Sequence, residues 1–165
     1  GLPNFAGWVL PYDKPVLLVL EDPAYLEKAV RYLFRSGYDN IFGYLKGGMD
    51  DWCNSGLPTQ NLSLMSVQQL KSSLDSHEEL FLLDNRGVQE WATDHIAEAH
   101  HIYAGYLEQR LAEVPRDKPV AVYCSTGHRS SIGASILLRA GYSKVYNVPG
   151  SITAWKAAGF PVTKD

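Results

Sequence analysis

Ala121-Val122-Tyr123-Cys124-Ser125-Thr126-Gly127-His128-Arg129-Ser130 decides how the rest of this chain is read. The residues before Cys124, 119–123, are a short apolar run opened by a proline, a pattern that suits a buried parallel strand better than an alternating surface one. After the loop, Ser130 or Ser131 can cap a helix whose Ile132, Ile136, Leu137 and Ala140 share one face, and Gly141 stands where a left-handed cap ends it. A cysteine between the carboxyl end of a strand and the amino end of a helix faces unpaired backbone N–H groups and the positive end of the helix dipole, which favour thiolate over thiol. Small residues and Gly127 let successive amides converge on one point as an anion nest, and Arg129 adds a permanent positive charge. The competing reading of Cys124, a small buried hydrophobe after a strand, gives no reason for the Gly/Ser-rich loop that follows it.

Outward from this stretch, strands and helices alternate. Downstream come a strand at 144–148 and a short helix carrying Trp155, closed by Gly159 and Pro161. Upstream, 66–75 reads as a helix, 79–84 as a strand, 88–94 as a helix and 106–113 as another. This order predicts an α/β fold, a mostly parallel sheet with helices on both faces, in which chemistry gathers at the carboxyl ends of the strands.

The same units occur twice. Lys14-Pro15-Val16 recurs as Lys118-Pro119-Val120, Arg35-Ser36-Gly37-Tyr38 as Arg139-Ala140-Gly141-Tyr142, and Gly56-Leu57-Pro58 as Gly159-Phe160-Pro161. Trp52 matches Trp155, and both are expected to pin a last helix to the sheet. The strands at 15–20 and 40–44 belong to the first copy. The organisation predicted is a truncated, degenerate copy over 1–62 and a complete one over 63–165, with the front half of the first copy expected to be missing. Where the second copy has Cys124, the first has Leu20, followed by Glu21-Asp22-Pro23, which can neither hold a thiolate nor welcome an anion.

Composition excludes several classes. With 165 residues, 45% hydrophobic and 20% charged, the chain is long enough to fold around its own core. Fifteen Lys and Arg against eighteen Asp and Glu leave a net charge of -3 and no basic character for nucleic acid. The longest apolar run, Val16-Leu17-Leu18-Val19-Leu20, is far short of the roughly 18 residues of a membrane helix, and no signal segment opens the chain, so a soluble cytoplasmic protein is expected. Two cysteines cannot make a disulfide framework or a four-thiolate zinc site. His95, His100 and His101 fall in a turn leading into a strand without a recognised zinc spacing, and Cys53 is expected to be an incidental surface thiol.

From residue 66 to 162 the chain resembles the rhodanese family of sulfurtransferases. Leu83-Asp84-Asn85-Arg86 and Glu90-Trp91 resemble its entry strand and helix, Asp94-His95-Ile96-Ala97-Glu98-Ala99 its Gly-His-Ile-Pro-Gly-Ala turn with Ala97 and Glu98 as departures, and Cys124 to Arg129 its active-site loop. The resemblance implies a ping-pong relay without a cofactor. Cys124, with Arg129 as the second catalytic residue, takes a sulfane sulfur from thiosulfate or a low-molecular-weight persulfide and passes it to a thiol-type acceptor. Ser125, Thr126, Gly127, His128 and Ser130 would bind the substrate. Arg86 would either lend charge at the pocket rim or serve a structural ion pair with Asp84 or Glu90. Phosphatase and arsenate reductase loops place Arg one position further from Cys than Arg129 stands from Cys124, which favours sulfur transfer over those chemistries; a docking module without turnover is the remaining alternative and the leading reading of the first copy. A degenerate copy followed by a Cys-bearing one is similar to the tail of bacterial metallo-β-lactamase fusion proteins of the persulfide dioxygenase type, which implies such a domain upstream in a parent protein. It also leads us to expect either a homodimer formed through residues before Ser63 or a weakly ordered first copy.

Overall fold

Every described strand pairs parallel to its neighbours, as expected where strands alternate with helices. The computed structural model describes residues 2–164, which divide into two units between Asn61 and Leu62. None of the described helices is long and apolar enough to cross a membrane.

The first unit contains α1 (Leu2–Val9), β1 (Val16–Val19), a 3-10 turn (Pro23–Tyr25), α2 (Leu26–Arg35), β2 (Ile41–Leu45) and α3 (Gly48–Asn54). Its two strands form one small sheet, covered on one face by a core of Ala6, Val16, Leu18, Ala29, Leu33 and Tyr38. α1 lies in a stretch the sequence left without an element. It is held by the Tyr38 hydroxyl, which donates to the carbonyls of Ala6 (3.2 Å) and Leu10 (3.0 Å).

The second unit contains β3 (Ser63–Leu64), α4 (Val67–Asp75), β4 (Phe81–Asp84), α5 (Val88–Thr93), β5 (Ala99–His101), a 3-10 segment (Ala104–Glu113), β6 (Val120–Tyr123), α6 (His128–Arg139), β7 (Val145–Asn147) and α7 (Ser151–Ala157). The sheet order is β3-β7-β6-β4-β5, so the strand that ends at Cys124 is central and has no exposed residue. One face is covered by α4 and α7, whose Val67, Leu70, Ile152 and Trp155 pack with Leu82, Ala121, Tyr123 and Val148. α6 lies against β6, β7 and the 3-10 segment. α4 begins at a capping box in which Gln69 N–H donates to Ser66 Oγ (3.1 Å) and Ser66 N–H to Gln69 Oε1 (2.8 Å).

Three expectations are corrected here. The helix after the loop starts at His128, with Gly127 at φ 117 as its N-cap, so neither Ser130 nor Ser131 caps it. The turn needs a left-handed residue, which only the glycine supplies cheaply, and Ser130 is carried inside the first turn with its hydroxyl free for other work. The buried face of α6 is Gly133, Ala134, Ile136 and Leu137 rather than the predicted set with Ile132 and Ala140. Gly133 is there because a Cβ at that position would stand 1.9 Å from Asn85 Oδ1. The stretch predicted as a helix at 106–113 is a 3-10 segment broken at Arg110.

Local devices recur between the units. Tyr142 Oη donates to the carbonyls of Leu111 (2.9 Å) and Val114 (2.8 Å), as Tyr38 does to those of Ala6 and Leu10. Trp155 Nε1 donates to Pro161 O (2.8 Å), and Trp52 Nε1 to Pro58 O (3.1 Å). Gly47 and Gly150 are both left-handed N-caps. The coverage differs: Leu17 and Val19 are 56% and 48% exposed, whereas their sequence matches Ala121 and Tyr123 are fully buried. Cys53 is exposed.

Candidate active site

β6 delivers Cys124 to the carboxyl edge of the sheet, and α7 fixes its backbone. Cys124 N–H donates to Ser151 Oγ (3.0 Å), and Ile152 N–H donates to Cys124 O (3.1 Å). The next two loop carbonyls are taken in the same way, Ser125 O by Thr153 N–H (3.1 Å) and Thr126 O by Gly150 N–H (3.0 Å). With its carbonyls turned toward α7, the loop directs amides at the sulfur. Gly127 N–H donates to Cys124 Sγ at 3.2 Å, and Ser130 Oγ lies 3.6 Å away. Ser130 Oγ also reaches Asn147 Oδ1 (2.6 Å) and Gly127 O (3.0 Å), so its single proton is shared among three acceptors.

Cys124 itself is recessed, with no exposed surface. Burial pushes its thiol up, but the hydroxyl of Ser130 and the amides of Ser130, Gly127 and Thr126 outweigh it and bring the thiol below its ordinary value. The loop therefore favours a thiolate in a place where desolvation alone would suppress one.

Arg129 is held chiefly by Glu90, and the Cys124 sulfur adds only a lesser electrostatic contribution. Its guanidinium forks onto Glu90, with Nη1 to Oε2 at 2.6 Å and Nη2 to Oε1 at 2.7 Å, and Nη2 also reaches Ser125 Oγ at 2.6 Å. Ser125 Oγ in turn donates to Glu90 Oε1 (2.7 Å), and Gly87 N–H donates to Glu90 Oε2 (3.0 Å). Arg129 is the first cause holding the Glu90 carboxyl down at about 2; partial burial opposes it, and Ser125 and Gly87 add to it. A planar guanidinium meeting a carboxylate two-pronged is a strong, directional pair, and here it ties the loop to α5.

For Arg86 the structure shows the ion pair with Asp84 that the sequence offered as the alternative to a rim charge. Its side chain is 4% exposed and is taken up by Asp84 (2.8 Å) and Asp94 (3.2 Å), with its guanidinium over the Tyr123 ring at 5.7 Å. Burial pulls its pKa down, but Asp84 more than compensates and drives it up. A cation fully engaged by two carboxylates beneath the surface fixes the end of β4 and offers nothing at a rim. Thr126 and His128 are exposed, with His128 Nδ1 3.2 Å from Thr126 Oγ1. The three histidines upstream turn to separate partners: His95 to Trp91 O (3.1 Å), His100 to Glu113 (3.2 Å) and His101 to Arg86 O (2.7 Å).

Glu90, Ser151 and Asn147 are site residues that the sequence did not single out as such. Glu90 leaves one legible trace, as the acid at the third helical position after Gly87 that closes a capping arrangement. Ser151 leaves none, because its value lies in a left-handed backbone, φ 49, that turns its hydroxyl under Cys124.

Residues 66–158 match the model of the rhodanese-like domain family. A sulfurtransferase of Allochromatium vinosum is 33% identical over 95 residues, covering 58% of this chain and 89% of that protein. The thiosulfate sulfurtransferase GlpE of Pseudomonas savastanoi pv. phaseolicola is 33% identical over 76 residues, covering 46% of this chain and 72% of that one. Among solved structures, a rhodanese-related protein from Thermoplasma volcanium superposes with a TM-score of 0.58 at 26% identity, covering 62% of this chain and 99% of its own. The parallel sheet, the recessed cysteine at its centre and these matches agree: the chain belongs to the rhodanese-like family.

Proposed function

We propose that this protein is a sulfurtransferase that carries sulfane sulfur on Cys124. The observation that carries the reading is a recessed thiol drawn below its ordinary pKa by Ser130 and by loop amides, one of which reaches Sγ at 3.2 Å. In the first half-reaction the Cys124 thiolate attacks the outer sulfur of the donor and the donor's remainder leaves as an anion. In the second a nucleophilic thiol takes the sulfur back off. The loop amides that face Sγ would also border the outer sulfur of an enzyme persulfide, where fixed dipoles stabilise its negative charge. A lowered pKa suits this chemistry, because the thiolate is the attacking species.

The recess also weighs against phosphatase or arsenate chemistry. Those need room for a tetrahedral oxyanion and an arginine facing it, whereas Arg129 is folded away onto Glu90. The first unit reads as a non-catalytic copy of the second. In support, the same Tyr and Trp hydrogen bonds recur, and Leu20 follows β1 where Cys124 follows β6.

Mass spectrometry after incubation with thiosulfate or glutathione persulfide tests the proposal. The expected result is one added sulfur, mapped to Cys124. An unmodified protein that turns over a phosphate monoester would overturn it.

A further inference from the structure

Arg129 is the only permanently charged residue of the loop from Cys124 to Ser130, and both of its prongs are engaged by Glu90. The other two cations at this corner are spent as well, Arg86 on Asp84 and Asp94, and Lys156 on Asp94 at 2.8 Å. Glu90 is 39% exposed and Arg129 20% exposed at the side chain, so a carboxylate faces solvent at least as much as the guanidinium it neutralises. The amides that converge on Sγ can hold one sulfur atom. They have no counterpart for a sulfonate, whose oxygens carry the charge that must depart with the leaving group.

On the sulfur-transfer reading above, we propose that Glu90 is a specificity-determining residue that turns the site away from sulfonate-bearing donors and toward sulfane sulfur carried on a thiol. The step it selects is balanced without a further reactant. The electron pair of the Cys124 thiolate attacks the outer sulfur of R–S–SH, the bond between the two donor sulfurs breaks, and RS⁻ leaves with that pair. Cys124 is left as Cys–S–SH, with the proton still on the transferred sulfur, and nothing is oxidised or reduced overall. With thiosulfate the same attack would expel sulfite, a dianion, past Glu90 with Arg129 unable to receive it.

The test compares thiosulfate with the persulfide of 2-mercaptoethanol, which carries no charge outside its sulfurs, in single-turnover loading of Cys124 by the wild type, Glu90→Gln, Arg129→Ala and the double variant. Glutamine retains an oxygen for Gly87 N–H, so α5 stays capped while the charge clamp is lost. The wild type should load from the persulfide at least about tenfold more efficiently. Glu90→Gln should improve the apparent affinity for thiosulfate by about three- to tenfold relative to that for the persulfide, and make thiosulfate loading fall with added salt. In the Arg129→Ala background Glu90→Gln should give a smaller thiosulfate gain, because it then removes only the carboxylate's own repulsion and frees no guanidinium. Preference for thiosulfate in the wild type, an equal effect on both donors, or a thiosulfate gain just as large without Arg129 would each overturn the assignment while leaving sulfur transfer intact. Failure of both donors to sulfurate Cys124 would instead remove the reading on which it rests.

Discussion

Ser151 Oγ accepts the amide N–H of Cys124 at 3.0 Å from a backbone held at φ 49, a conformation unusual for a side chain with a Cβ. The same hydroxyl donates to Val148 O at 2.8 Å, so one residue joins the end of β7, the start of α7 and the nucleophile. Ser151→Ala keeps the left-handed strain and loses both bonds. Ser151→Gly loses the bonds and relieves the strain, worth about 1 kcal/mol. Urea unfolding should rank stability as wild type, then Ser151→Gly, then Ser151→Ala, and both variants should load sulfur more slowly than the wild type. Equal stability of the two variants would show that the backbone is not strained.

The thiolate is sustained chiefly by Ser130 and loop amides rather than by Arg129. Ser130→Ala should raise the midpoint of the Cys124 thiolate absorbance and move the alkaline-rising limb of sulfur loading to higher pH. Arg129→Ala should move both less, because Glu90 already offsets the guanidinium. A larger shift from Arg129→Ala than from Ser130→Ala would reverse that order of causes.

Glu90 also couples stability to pH. Its folded value of about 2 lies below the roughly 4.3 of an unfolded glutamate, so its contribution is full above that higher value and is lost as pH falls from there toward the lower. Glu90→Gln should flatten the acid side of the stability profile within that window. Chemical denaturation at several acid pH values checks it, and an unchanged slope would mean that the pair with Arg129 does not form in solution.

Gly133 lets α6 approach Asn85, whose Nδ2 donates to Ile102 O at 2.8 Å. Gly133→Ala would place a Cβ 1.9 Å from Asn85 Oδ1, and the displacement should cost about 1–3 kcal/mol, read as a lowered urea midpoint. A helix-propensity gain that left stability unchanged or higher would show that Asn85 can move aside.

Most of the architecture is legible in the sequence because its signals are local. The apolar run before Cys124, the Gly/Ser loop and the paired Trp and Tyr motifs each specify a short piece of structure, and parallel pairing follows from their alternation. Charge partners were less legible. Arg129 and Glu90 are 39 positions apart, Arg86 has acids on both sides, and only the packed sheet decides which carboxylate each guanidinium meets. Ser151 escaped for a different reason, since a strained backbone angle has no compositional trace. The helix start at His128 was displaced from the serines because the loop's turn, centred on Gly127, takes the capping position itself.

The central claim is that Cys124 carries transferable sulfur. Its most direct test is intact-protein and peptide mass spectrometry of the wild type, Cys124→Ser and Cys53→Ser after exposure to a persulfide donor and then to a thiol acceptor. The account predicts one added sulfur on Cys124 in the wild type and in Cys53→Ser, its loss on adding the acceptor, and no gain in Cys124→Ser. Sulfur that accumulates equally on the exposed Cys53, or that persists in Cys124→Ser, would contradict it.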